Sequence, residues 1–233
     1  MVNSFLSCLS FLTIIRINSD FDAKGSVKFF SVVGGLIGLG LYGLGYISVP
    51  FRGFLMVFYL AVITGGLHLD GLADASDAFF SHRDKDEMLR IMKDSRIGTF
   101  GVLALFFVLL GKYLSFNAIK NPLFLVFIPI YGRFIAVYLM KKLPYARASG
   151  TAKDFFKRFD LWDFLAGFVF IALSFFLFNP AVVGLITACF FLWGFFLFSY
   201  FKRKIGGITG DMIGFAIETT ELFMLLLGVF YGL

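Results

Sequence analysis

The sequence predicts an all-α protein: a single integral membrane domain over residues 1–233, a polytopic bundle of about seven transmembrane helices plus an N-terminal interfacial or re-entrant helix. Three observations carry that prediction. The 233 residues are 59% apolar and only 15% charged, against about 25% charged in soluble domains. Several apolar runs approach or exceed the ~20 residues that cross a bilayer. The 25 Gly and 35 Phe suit close helix packing and a lipid-facing surface.

The elements follow in order. Phe5 to Ile15 is apolar but short for a span, and it ends near Arg16. No Lys or Arg precedes it and no small-residue cleavage site follows, so it reads as an interfacial helix and not as a cleaved signal peptide. Spans are expected at Phe29–Val49, Phe51–Leu67, Gly98–Phe116, Pro122–Met140, Leu161–Phe178, Pro180–Phe201 and Asp211–Gly232. The second is short, so its helix is expected to run on into the acidic segment behind it. Asn179-Pro180 marks a tight hairpin turn between the fifth and sixth. Cys8 and Cys189 make no disulfide framework.

Charge sets the orientation. Of the 21 Lys and Arg, only Arg52 and Lys120 fall in loops on one side, while Lys112 and Arg133 lie within spans. The rest fall on the other side, which the positive-inside rule makes the cytoplasm. The N-terminus is then inside and the C-terminus outside. None of the 15 acids lies in an outer loop, so any chemistry faces the cytoplasm. The net charge of +6 is explained by these loops and does not call for nucleic acid.

Four segments could carry chemistry. In Gly65-Gly-Leu-His-Leu-Asp-Gly-Leu-Ala-Asp-Ala-Ser-Asp-Ala-Phe-Phe80, Asp70, Asp74 and Asp77 are spaced by four and three. That spacing brings all three to one helix face. Like charges so placed repel unless a cation holds them, and hard oxygen ligands suit Mg²⁺ or Mn²⁺. A solvated acidic helix start is the competing reading. His68 is a candidate substrate contact or a satisfied structural residue. In the second segment, Leu89 to Gly101, Arg90, Lys93 and Arg96 offer basic groups to a phosphate substrate, or anchor the membrane surface; Asp94 is a candidate cap beside them.

The third segment, Gly206 to Glu221, opens the last span. Asp211, Glu218 and Glu221 share a face, with Glu221 about 15 Å past Asp211 and near mid-membrane. Each ionised group there costs roughly 2.5–3.5 kcal/mol, so the acids need a partner, a metal or a proton. Arg133, inside the fourth span, is the candidate ion-pair partner. The fourth segment, Leu143 to Gly150, supplies Tyr145 for stacking and Arg147 for phosphate.

Taken together, GGLHLDGLADASDAFF, LRIMKDSRIGTFGVLAL, GR with LPYAR, and GGITGDMIGFAIETTEL resemble the cobalamin synthase family, the adenosylcobinamide-GDP ribazoletransferases. The N-terminal FLTIIRI and the glycine-rich first span look like that family too. The resemblance covers nearly the whole chain. One departure is Ala148-Ser149, where the family has a more polar, often acidic pair.

The resemblance implies an Mg²⁺-dependent enzyme of the prokaryotic cytoplasmic membrane. In its reaction the ribose 3′-hydroxyl of α-ribazole, or of α-ribazole 5′-phosphate, attacks the cobinamide-linked phosphate of adenosylcobinamide-GDP. GMP leaves, and adenosylcobalamin or its 5′-phosphate forms. On this reading Asp70, Asp74 and Asp77 are the catalytic and metal-binding acids, with Asp211, Glu218 and Glu221 completing the metal set. His68, Arg90, Lys93, Asp94, Arg96, Arg133, Tyr145 and Arg147 would bind substrate. Oligomeric state, a homo-oligomer included, stays open. The competing readings are an ion-coupled transporter using Glu218, Glu221 and Arg133, and a CDP-alcohol-type phosphotransferase. No internal repeat supports the first, and Ala73-Asp74 stands where the second has Ala-Arg.

Overall fold

The computed structural model describes residues 1–18, 20–150, 152–156 and 160–233. Two basic loop residues used in the charge argument, Lys157 and Arg158, lie outside the described residues. All regular structure among the described residues is helical, with one isolated bridge between Tyr145 and Ile208.

Helix α1 (Val2–Leu12) is 11 residues long, too short to span. It buries Ser4, Ser7, Cys8 and Leu12, and the Ile14 N–H behind it donates to the Ile63 carbonyl. A short helix α2 (Ala23–Ser26) passes through a 3₁₀ turn (Val27–Phe29) into α3 (Phe30–Gly45). Asp22 caps this run. Its carboxylate accepts from the Gly25 N–H at 2.9 Å and from the Ser4 hydroxyl at 2.7 Å, which also ties α1 down.

Helices α4 (Arg52–Ile63) and α5 (Leu67–Phe80) meet at 90°. Gly65 and Gly66 make the elbow with φ of 60° and 71°, a left-handed backbone that costs glycine nothing. The expected continuation of the second span into the acidic segment is therefore a sharp bend, not a straight helix. After α6 (Lys85–Ile91), α7 (Thr99–Ala118) crosses the bundle, and α8 (Phe127–Lys142) runs back through its centre with nearly every side chain buried. Helices α9 (Trp162–Leu177) and α10 (Pro180–Lys204) form a hairpin. Asn179 caps α10, and Pro180 stands at its first helical position, where no N–H is missed. Helix α11 (Gly210–Phe230), capped by Thr209, closes the bundle.

Among the described residues, five helical stretches are long and apolar enough to cross a membrane: Ala23–Gly45, Thr99–Ala118, Pro122–Lys142, Pro180–Lys204 and Gly210–Phe230. Counting α4 and α5 as one broken span gives six. The remaining expected span, Leu161–Phe178, corresponds to α9, which is apolar but 16 residues long. The start of α11 and the ends of α5, α8 and α10 share one end of the bundle. The Ala146 N–H bonds to the Ile208 carbonyl and the Ile208 N–H to the Pro144 carbonyl, while the Lys204 ammonium donates to the Phe79 carbonyl.

Candidate active site

The site forms where α5 crosses the first turns of α11 and α7. A Cβ at Gly71 would stand 2.8 Å from the Asp211 carbonyl oxygen and 3.2 Å from Gly214 Cα. A Cβ at Gly214 would stand 2.9 Å from the His68 carbonyl oxygen. Only a glycine pair permits this approach, and it carries Asp70 and Asp74 up to Asp211. Asp74 sits in the field of Asp70, Asp211 and Asp77, opposed by the Arg147 guanidinium. Arg147 Nη2 lies 2.7 Å from Asp211 Oδ2. That contact engages Nη2, while the buried Nε of Arg147 has no hydrogen-bond partner among the described residues.

Asp77 is placed differently from the expected metal ligand. One carboxylate oxygen accepts from the Gly98 N–H at 2.7 Å and the other from the Gly101 N–H at 2.8 Å. Both are orphan donors at the start of α7, where the N-cap residue Gly98 has no side chain to satisfy them. Asp77 is the missing cap, supplied from another helix. The residues expected as metal ligands do not form a ready-made cage: no group of three His, Cys, Asp or Glu able to hold a metal is assembled among the described residues.

Glu218 and Glu221, expected to complete the metal set, are engaged by buried bases. Lys112 Nζ lies 2.7 Å from Glu218 Oε2 and 2.6 Å from Glu221 Oε2, and Arg133 Nη1 pairs with Glu221 Oε1. All four side chains are buried. In a medium that cannot solvate them, two acids are neutralised by two bases. Arg133, expected to bind substrate, is held in this quartet, and its Nη2 lies 3.5 Å from His68 Nδ1. Lys112 escaped the sequence reading as a partner. A lone Lys in an apolar span needs an acid at its own depth, and its place 13 residues into α7 matches that of Glu221, 11 residues into α11.

The basic block does not close over the acids. Arg90 pairs with Glu87 and Arg96 with Asp94, each at 2.6 Å and on the surface. Arg96 holds the Asp94 carboxyl down to about 2, through its side chain first and then its backbone N–H. Arg90, Lys93 and Asp94 line a shallow surface depression instead. Tyr145 is half-buried and packs against Phe156 with ring centroids 5.0 Å apart. Beside the acids lies a cavity of about 80 Å³ that His68, Asp70 and Asp211 help to line.

The sequence matches the family model described as cobalamin-5-phosphate synthase over residues 4–229. The adenosylcobinamide-GDP ribazoletransferase of Alkaliphilus oremlandii is 38% identical over 96% of each chain. Those of Clostridioides difficile and Klebsiella pneumoniae (strain 342) are 34% and 36% identical, over 95% of each chain and over 97% and 99% of the two chains. No solved structure matches the chain. A match over nearly the full length, together with relatives well above 30% identity, places this chain in the cobalamin-5-phosphate synthase family.

Proposed function

We propose that the protein is an adenosylcobinamide-GDP ribazoletransferase of the membrane, working at the cytoplasmic face. It joins α-ribazole or its 5′-phosphate to adenosylcobinamide-GDP. The observation that carries the site assignment is the crossing at Gly71 and Gly214, which sets Asp70 and Asp74 against Asp211 with Arg147 alongside.

In the transfer, the ribose 3′-oxygen forms a bond to the cobinamide-linked phosphorus. The bond from that phosphorus to the oxygen of GMP breaks, and the hydroxyl proton leaves to a carboxylate. Asp70 or Asp74 is the acceptor within reach of this geometry. Arg147 offers its unpartnered Nε–H to a non-bridging phosphate oxygen and neutralises charge as it shifts towards the leaving group. Asp77 fixes the register of α5 against α7, and the buried quartet fixes α7, α8 and α11 around it.

The donor chemistry fits Mg²⁺. This ion is commonly held by one or two carboxylates plus substrate phosphates, so it needs no preformed cage. Asp70, Asp74 and Asp211 would hold it, where it would stabilise charge on the diphosphate. The transporter reading loses support, because Glu218 and Glu221 are matched by Lys112 and Arg133 and leave no free carrier among them. The test is GMP release by purified Asp74→Asn. Loss of at least 100-fold is expected, and near-wild-type turnover at saturating Mg²⁺ would overturn the role of Asp74.

A further inference from the structure

The cavity beside the acids has two unlike walls. Phe11 of α1, Phe30 of α3 and Phe155 of the 3₁₀ turn (Lys153–Phe156) all line it. Their rings touch one another: Phe11 and Phe155 lie 4.4 Å apart, Phe30 and Phe155 5.8 Å, Phe11 and Phe30 6.4 Å. Tilted by 40° and 64° to one another across Phe155, they form an aromatic cluster drawn from three separate parts of the chain. The other wall comes from the crossing of α5 and α11 and carries His68, Asp70 and Asp211. A carboxylate gains nothing from a phenyl ring, so the two walls do not satisfy each other. They suit a molecule that is flat and apolar at one end and rich in hydroxyl donors at the other.

We infer that this cavity is the subsite of the acceptor nucleoside, a flat heteroaromatic base packed against the Phe11–Phe30–Phe155 cluster with its ribose hydroxyls turned to Asp70 and Asp211. The inference rests on the proposed transferase reading and adds to it where the acceptor sits. Two nucleosides could compete for the place, the acceptor and the guanosine of the donor. Guanine presents a polar edge of donors and acceptors. Around the rings the lining is Leu12, Met140 and Ile217, which would leave that edge unpaired at a large cost in affinity. A benzimidazole-type base has no such edge.

The volume adds a second restriction. At about 80 Å³ the cavity is smaller than the ~150 Å³ that holds a benzene molecule. The base therefore enters by its edge and stays partly outside, and the ribose rather than the far end of the base reaches the acids. That order brings the attacking hydroxyl to the carboxylates.

Gly210 gives a clean test. It lines the cavity at the start of α11, and a Cβ there would meet only Ala152 Cβ, at 3.5 Å, an ordinary contact. An added Cβ at 210 is accommodated without a clash, and a longer side chain there narrows the cavity further. Binding of α-ribazole to the detergent-purified full chain is followed by the fluorescence of the base, and binding of adenosylcobinamide-GDP by calorimetry. Gly210→Leu should weaken α-ribazole at least tenfold and Gly210→Ala about threefold, each leaving the donor within twofold. Phe11→Ala, which removes a half-buried ring, should weaken α-ribazole by roughly tenfold. Unchanged α-ribazole affinity, an equal loss for donor and acceptor, or no binding to the wild type each overturns the assignment. The readout needs no turnover. A wild type that binds α-ribazole selectively but releases no GMP refutes the transferase reading and not the location of the nucleoside.

Discussion

Replacing Lys112 with Met tests whether the buried quartet is held by charge balance. Lys112 is 2% exposed, with Glu218 Oε2 at 2.7 Å and Glu221 Oε2 at 2.6 Å, and Glu221 also carries Arg133. The four groups sum to zero. Lys112→Met leaves two carboxylates against one guanidinium, a net negative charge far from water. Removing one partner of a buried pair costs about 3–5 kcal/mol. For a chain of this size that corresponds to on the order of 6–20 °C in Tm. Adding Glu218→Gln returns the sum to zero and keeps the Arg133–Glu221 pair. The double variant should therefore regain about 1–3 kcal/mol through coupling of neighbours. The assay is thermal unfolding in detergent of wild type, both single variants and the double, read as a double-mutant cycle. A double variant no more stable than Lys112→Met would refute the balance argument.

Other outcomes separate structural acids from chemical ones. Asp74→Asn relieves repulsion from Asp70, Asp77 and Asp211, so its Tm should equal or exceed that of wild type while GMP release is lost; a clear fall in Tm would count against the crowding. Asp77→Ala strips both caps from α7 and should cost about 1–2 kcal/mol, measured by the same melting assay. Gly71→Ala must push α5 off the Asp211 backbone, at about 1–3 kcal/mol for overpacking; an unshifted melt would refute the close crossing. Asp22 is held below its usual range by the Gly25 N–H and then by the Ser4 hydroxyl. Its contribution is complete above the ordinary value of about 3.9 and is lost as pH falls through the lower folded value. Wild type should thus lose more Tm than Asp22→Asn between pH 5 and 3.

Much of the fold was legible because lipid imposes length and composition on a span. The five long stretches and the Asn179-Pro180 hairpin follow from that constraint. The 90° elbow after α4 was not anticipated. Gly65-Gly66 permits a left-handed backbone, but a pair of glycines does not announce which way the chain turns. The site was legible in part. Spacing placed Asp70, Asp74 and Asp77 on one face, yet it could not show that the Asp77 face meets the bare N–H groups of Gly98 and Gly101. That is a tertiary cap with no local motif. The sequence shows that Glu218 and Glu221 need a partner and offers Arg133, whereas the match with Lys112 depends on the relative depth of α7 and α11, which is set by their packing.

The membrane acids of this chain meet two fates, and local charge separates them. Glu218 and Glu221 find Lys112 and Arg133, so their sum is zero and nothing further is asked of them. Among the described residues, Asp70, Asp74 and Asp211 face a single guanidinium, Arg147, which pairs with Asp211 and keeps its Nε without a partner. Asp77 accepts from the backbone N–H groups of Gly98 and Gly101. Among the described residues no further cation pairs with this excess negative charge, and holding it together weakens the fold. A chain retains such an arrangement where a ligand supplies the missing charge at the moment of use. The glycine crossing that forces these acids together is therefore the strongest physical argument that they act as one site, whereas the balanced quartet below them acts as its support.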